Sequence, residues 1–317
     1  MPEPLVEPAA READGAAVGR AFVDACTLDV LARKPGNVSE ASPGHRMHAA
    51  LFLQSAQAAA APLCRPRASV GERIESAVQA TWRVVQCNTN LGILLLCAPI
   101  VVAQERRALA GPAPSLAASI GAVLESLDVD DARAAYRAIA LARPAGLGSA
   151  AQQDVNDAPT VGLRVAMALA AGRDRIARQY AEGYADVFDP GVASFEHARD
   201  LARRRGDGPQ AAAIHAMQAT FLEFLAAWPD SHIARKMGDA AAHSVMAEAR
   251  PWRERARRGA PLDADPAWAA WDESLKSRGL NPGTSADLCV ATALVATLQE
   301  APGHRLGVST QTTRHEI

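Results

Sequence analysis

Aromatic side chains are scarce, at 4% of the 317 residues, and no segment sustains the apolar–polar alternation of a half-buried strand. Strands favour aromatic and β-branched residues, whereas alanine, which supplies much of the 49% apolar content, is the strongest helix former. These shortages exclude a β architecture and predict an all-α fold. Long apolar runs are missing too. The longest, Leu91 to Ala103, is 13 residues and contains Pro99, against the roughly 20 that a membrane-spanning helix requires. It reads as a buried core helix, and no membrane partner is expected. With 33 Lys and Arg against 35 Asp and Glu, the net charge is −2, so no global positive field attracts nucleic acid.

The five cysteines (Cys26, Cys64, Cys87, Cys97, Cys289) are odd in number and scattered, with no CxxC pair. That excludes a disulfide framework and a thiolate zinc site, and predicts small apolar fillers of helix interfaces. The opening MPEPLVEPAAREADG lacks the basic-then-apolar order of a secretory signal, so a reducing cytoplasm is the expected compartment. A Walker A loop, GxGxxG, GxSxG and HExxH are all absent, which removes several common enzyme classes.

What is present is a succession of helical patterns separated by short breaks of Gly, Pro and Asp, without internal repeats. The reading is a single-domain multi-helix bundle over 16–300, with a flexible lead at 1–15 and a flexible tail at 301–317. Helices are expected at 16–33, 45–61, 71–85, 91–103, 115–126, 130–142, 161–171, 173–187, 194–205, 209–228, 231–237, 239–256, 266–278 and 284–298.

Polar residues suited to chemistry gather at the breaks, where helix N-termini offer free N–H groups to anions. The first group is Lys34-Pro35-Gly36-Asn37, then Glu40 and Gly44-His45-Arg46-Met47-His48. Lys34 and Arg46 suit phosphates, Gly36 admits a ligand to the backbone, and His45 and His48 would share a helix face. A turn leading into a solvated helix start explains the same residues. The second group, Asn88-Thr89-Asn90-Leu91-Gly92, contains an N-cap for the apolar helix, yet holds more polar groups than a cap needs and suits a ribose or phosphate. In the third, Asp154, Asn156 and Asp157 offer hard oxygens to Mg²⁺, although an acidic helix start reads the same way. The fourth places Arg235 and Lys236 one turn after the caps Asp230 and Ser231, as phosphate ligands or as a solvated helix end. In the fifth, Ser285 or Thr284 caps a helix with Asp287 in its first turn. Asp239 and His243 read as a surface pair, and Tyr180, Tyr184 and Phe188 as core packing.

Taken in order, the KPG segment, the Gly-His pair with its FLQSA helix, the Asn-Thr-Asn segment and the late NPGTSADL resemble the triphosphoribosyl-dephospho-CoA synthase family from about Ala21 to Leu298. The resemblance implies an all-helical enzyme that joins the triphosphoribosyl part of ATP to the 2′-hydroxyl of dephospho-CoA, with Mg²⁺, and releases adenine. Loss of adenine leaves cationic character on the ribose, which a carboxylate stabilises, and the attacking hydroxyl needs a base. Under the resemblance Lys34, Arg46, Arg235 and Lys236 take phosphates, and Gly36, Asn37, His45, Asn88, Thr89, Asn90 and Ser285 position substrate. Asp154, Asn156 and Asp157 hold the metal, and Asp287 or Glu40 is the base or cation stabiliser.

The family's Asn-Thr-His-Lys-Gly reads here Asn88-Thr89-Asn90-Leu91-Gly92, and its Gly-Ala-His-x-Asp-Met element reads Gly44-His45-Arg46-Met47-His48. A His, a Lys and an Asp are gone, as in a divergent branch. Two further readings therefore stand beside the first. One is a related phosphoribosyl-type transferase with another acceptor, for example in one-carbon pterin cofactor assembly. The other is a non-catalytic nucleotide-binding helical protein. A homo-oligomer is left open.

Overall fold

The computed structural model describes residues 8–110, 114–150 and 152–300, with side chains from residue 15 onward. Among these residues there are fourteen α-helices and no strand, in keeping with the alanine-rich, aromatic-poor composition. They are α1 (Pro8–Leu31), α2 (Ala49–Leu63), α3 (Val70–Val85), α4 (Leu91–Leu109), α5 (Leu116–Glu125), α6 (Val129–Ala142) and α7 (Leu163–Ala170). The second half holds α8 (Arg175–Glu182), α9 (Ala193–Arg205), α10 (Pro209–Ala227), α11 (Ser231–Met237), α12 (Asp239–Arg257), α13 (Pro266–Ser277) and α14 (Gly283–Gln299). A π-helical turn, Val187–Val192, leads into α9.

The centre of the bundle is α14, packed on α1, α4 and α10. Its Cys289, Val290, Ala291, Ala293, Leu294 and Val295 are wholly buried, as are Leu94, Leu96, Cys97 and Ala98 of α4. The apolar run at Leu91 to Ala103 is thus a core helix. Among the described residues no helix is long and apolar enough to cross a membrane. All five cysteines are free thiols.

Pro99 lies inside α4 and carries no N–H, which deprives the Leu95 carbonyl of its helical partner. The Tyr180 hydroxyl donates to that carbonyl at 2.6 Å, and the Tyr184 hydroxyl donates to the Leu96 carbonyl at 2.7 Å. Both tyrosines are fully buried, so their helical spacing does report core packing, with a polar task added.

Four boundaries depart from expectation, the simplest being α4, which runs on past residue 103 to Leu109. α1 begins at Pro8 rather than residue 16, while the rest of the expected lead (1–7) and the tail (301–317) lie outside the described residues. α2 begins at Ala49 rather than His45, because His45 and Arg46 have φ of 53° and 64° in a tight turn closed by hydrogen bonds between Gly44 and Met47. Left-handed residues cannot continue a helix, so His45 and His48 share no helix face. The helix expected over 173–187 breaks at Gly183 and Tyr184, whose φ values are 69° and 64°.

Candidate active site

A cavity of about 990 Å³ is walled by Asp29 near the end of α1, Asn37, the 88–92 break, the 144–150 loop with Asp154, residues 170–178, the 228–235 break and the start of α14. This is the upper end of the range of about 300–1,000 Å³ typical of ligand sites. The helix breaks converge on it, so the polar groups that interrupt the apolar helices end up together.

Three carboxyl groups near this cavity are held in different ways. Asp29 is 4% exposed and pairs with the Lys34 ammonium at 3.1 Å. Burial pushes its pKa up while Lys34 opposes. Asp230 is fully used: one oxygen accepts the N–H groups of His232 and Ile233 at 2.9 and 3.1 Å. The other accepts the N–H and the hydroxyl of Ser285, each at 2.8 Å, tying α11 to α14. Asp287, in the first turns of α14, faces the cavity and accepts no hydrogen bond among the described residues. Burial raises its pKa well above the carboxylate range, and Asp29, Asp230 and Asp174 add to the shift, with Arg235 opposing.

Arginines supply the opposite charge. Arg173, Arg175, Arg178 and Arg235 all line the cavity. Arg235 is oriented by Asp174 at 2.9 Å and by the Ala145 carbonyl at 3.2 Å. Arg175 stacks on Trp228, 3.6 Å from the ring centre, and pairs with Asp186 at 2.9 Å. Such stacking and pairing fix the guanidinium plane. His232 also lines the cavity, but burial first, then Arg235, Lys236 and His45, lower its pKa to about 4, so it is neutral near pH 7.

Of the residues singled out from sequence, Asn37, Asn88, Thr89, Asn90, Gly92, Asp154, Ser231, Arg235, Asp239, His243, Thr284 and Asp287 reach the cavity, Asp239 and His243 as exposed residues. Asn37 donates to Asn281 at 2.9 Å, Thr89 to Ser55 at 2.6 Å and Asn90 to Thr81 at 3.1 Å. Asn88 accepts the Leu91 N–H at 3.2 Å and so caps α4.

The others are placed elsewhere. Lys34 is wholly buried, with its ammonium shared between Asp29 and the Ala32 carbonyl, so it is a structural counter-ion and does not reach the cavity. Gly36 has φ of 84°, and a Cβ there would stand 2.7 Å from the Leu280 carbonyl oxygen; the glycine admits another stretch of chain, not a ligand. His45 holds the Gly36 carbonyl at 2.8 Å, and Ser285 serves Asp230. Glu40, Arg46 and Lys236 are exposed and outside the lining.

The expected metal set is not assembled. Asp154 accepts the Ala150 N–H at 2.5 Å and both the N–H and the amide of Asn156 at 2.9 and 2.8 Å. Those bonds, the Asn156 N–H first, lower its pKa and make it the organiser of its loop. Asn156 and Asp157 are exposed, and among the described residues no three His, Cys, Asp or Glu converge as metal ligands. Asp154, Asn156 and Asp157 as they stand here do not fit a resident Mg²⁺ site.

Sequence reasoning missed Asp29, the Arg173-Asp174-Arg175 triplet and Trp228. The triplet was absorbed into a helix expected from residue 173, whereas Asp174 is in fact the N-cap of α8, accepting the N–H groups of Ile176 and Ala177. Asp29 had a readable signal, a lone acid between Leu28 and Val30 on a buried helix face.

An all-helical bundle whose cavity mixes arginines with a carboxyl that accepts no hydrogen bond among the described residues has the charges to meet a phosphorylated small molecule, and the family whose model it matches is one of transferases. The chain belongs to the ATP:dephospho-CoA triphosphoribosyl transferase family, whose model matches residues 15–306. Among solved structures it is similar to a candidate triphosphoribosyl-dephospho-CoA synthase from Archaeoglobus fulgidus, with a TM-score of 0.54 and 23% identity, covering 78% of this chain and 98% of that one. At that identity the likeness speaks for the fold. No curated protein matches the sequence.

Proposed function

We propose that the chain moves the triphosphoribosyl group of ATP to the 2′-hydroxyl of dephospho-CoA and releases adenine. The observation that carries this is the Asp287 carboxyl, which accepts no hydrogen bond among the described residues, in a cavity shared with four arginines. As the acceptor oxygen bonds to the ribose anomeric carbon, the bond from that carbon to adenine breaks. The hydroxyl proton passes to Asp287 and from there to solvent, while solvent returns one proton to the departing adenine, so no net proton is gained or lost. A carboxylate whose pKa is raised by burial and by neighbouring acids is a stronger base once ionised, and its charge also offsets the developing cation. Arg173, Arg175, Arg178 and Arg235 hold the triphosphate, replacing the expected Lys34, Arg46 and Lys236. Mg²⁺ enters as part of the ATP substrate, not on Asp154.

A different acceptor is favoured by one observation. Where the family segment carries His and Lys, Asn90 and Leu91 line the cavity without charge.

The test is incubation with ATP, Mg²⁺ and dephospho-CoA, following free adenine by chromatography. Adenine that appears only with dephospho-CoA supports the first reading. ATP binding without adenine moves support to another acceptor. Neither binding nor adenine overturns both.

A further inference from the structure

We infer that Gly92 is a positioning residue for the transfer, its missing side chain forming the seat of the Asp287 carboxyl. The inference rests on the reading of Asp287 as proton acceptor. Gly92 is the second residue of α4, among Leu and Ile, where a glycine is less favourable than alanine by up to about 1 kcal/mol. Its φ is not positive, so backbone conformation does not call for glycine.

Close approach does. A Cβ on Gly92 would lie 2.0 Å from Asp287 Oδ2, 2.6 Å from its Cγ and 2.7 Å from Ile176 Cδ1. The α14 backbone has no room to retreat, because Ser285 is fastened to Asp230 by two 2.8 Å bonds and Leu288 is 1% exposed. Any side chain at position 92 therefore turns the carboxyl away from its present direction. Misplacing a reacting group by about 1 Å costs on the order of 100-fold in rate.

The test is a mutant cycle on adenine release. Gly92→Ala is expected to lower kcat about 100-fold while the KM for ATP moves less than about threefold. In an Asp287→Asn background the same change is expected to have no further effect on kcat, since an amide at 287 cannot accept the proton whichever way it points. Gly92→Ala/Ile176→Ala opens space on the isoleucine side and is not expected to restore kcat. An intact kcat in Gly92→Ala, losses that multiply in the double variant, or rescue by the isoleucine change would each overturn the inference. Should Gly92→Ala fail to fold, restored folding on adding Asp287→Ala supports the seat, and no restoration overturns it.

A wild-type protein that releases no adenine would sink the proposed reaction but leaves the seat testable. The Asp287 carboxyl faces Asp29 of α1, Asp174 ahead of α8, Asp230 ahead of α11, Arg235 of α11 and the thiols of Cys26, Cys97 and Cys289. Its raised pKa makes folding take up a proton, so it removes stability as pH rises. Gly92→Ala is expected to change the slope of thermal midpoint against pH in the wild-type background and not in Asp287→Asn. Equal slopes for wild type and Gly92→Ala would overturn it.

Discussion

Asp29 and Asp230 both act electrostatically on Asp287, yet Asp29 has an ammonium, Asp230 has four donors, and Asp287 accepts no hydrogen bond among the described residues. Burial penalises the charge on all three, and the partners decide how each responds. Asp287→Asn is expected to abolish adenine release, by at least about 100-fold, with folding retained. For the wild type, kcat/KM should rise with pH through an apparent pKa above the ordinary carboxylate range, because the base must be ionised. A pH–rate profile with a normal carboxylate limb would count against Asp287. Lys34→Met makes the opposite contrast. It leaves Asp29 buried and unpaired, so it should destabilise by about 3–5 kcal/mol in a denaturant titration. A rise in the KM for ATP with stability unchanged would return Lys34 to the phosphates.

On the scale of helices and loops, the α4–α8 contact shows what pattern alone can and cannot reveal. The spacing of Tyr180 and Tyr184 marks them as core, but the carbonyl that Tyr180 serves is freed by Pro99 on another helix, which no local pattern discloses. Tyr180→Phe should therefore cost about 1–3 kcal/mol, more than the loss of an exposed hydroxyl, as read from the thermal midpoint. Asp154→Ala should loosen Ala150 and residues 152–157, seen as faster amide exchange, with the Mg²⁺ dependence of turnover unchanged. The helices were legible because alanine-rich stretches and Gly/Pro breaks alternate clearly. Asn88, Asn90, Arg235 and Asp287 were legible because helix ends converge on the cavity. Lys34, Gly36 and Ser285 were not, because partners distant in sequence (Asp29, the Leu280 carbonyl, Asp230) claim them for structure.

For the whole molecule, pH acts from two sides. His232, lowered to about 4, and His45 and His215, lowered chiefly by burial, are neutral in the fold but charge in the unfolded chain. The contribution of His232 is present above the ordinary histidine value of 6.5 and is lost as pH falls toward 4, and the lowered values of His45 and His215 act in the same direction. Asp29, Asp230 and Asp287, with raised values, act in the other direction and withdraw stability as pH climbs. His232→Gln should flatten the acid loss between pH 6.5 and 4 in thermal midpoints measured across that window. An unchanged acid slope would show that His232 charges freely in the fold.

The packing of α14 against α4 also has a consequence during synthesis. Leu91 leaves the ribosome long before Gly283, and at about 5–20 residues per second the intervening stretch takes about 10–40 s to translate. For that interval the apolar surface of α4 has no α14 to cover it, and chains truncated before residue 283 are expected to expose it to solvent. Asp287 and Gly92 meet only after that wait, so on the proposed reaction catalytic competence is one of the last properties the growing polypeptide acquires.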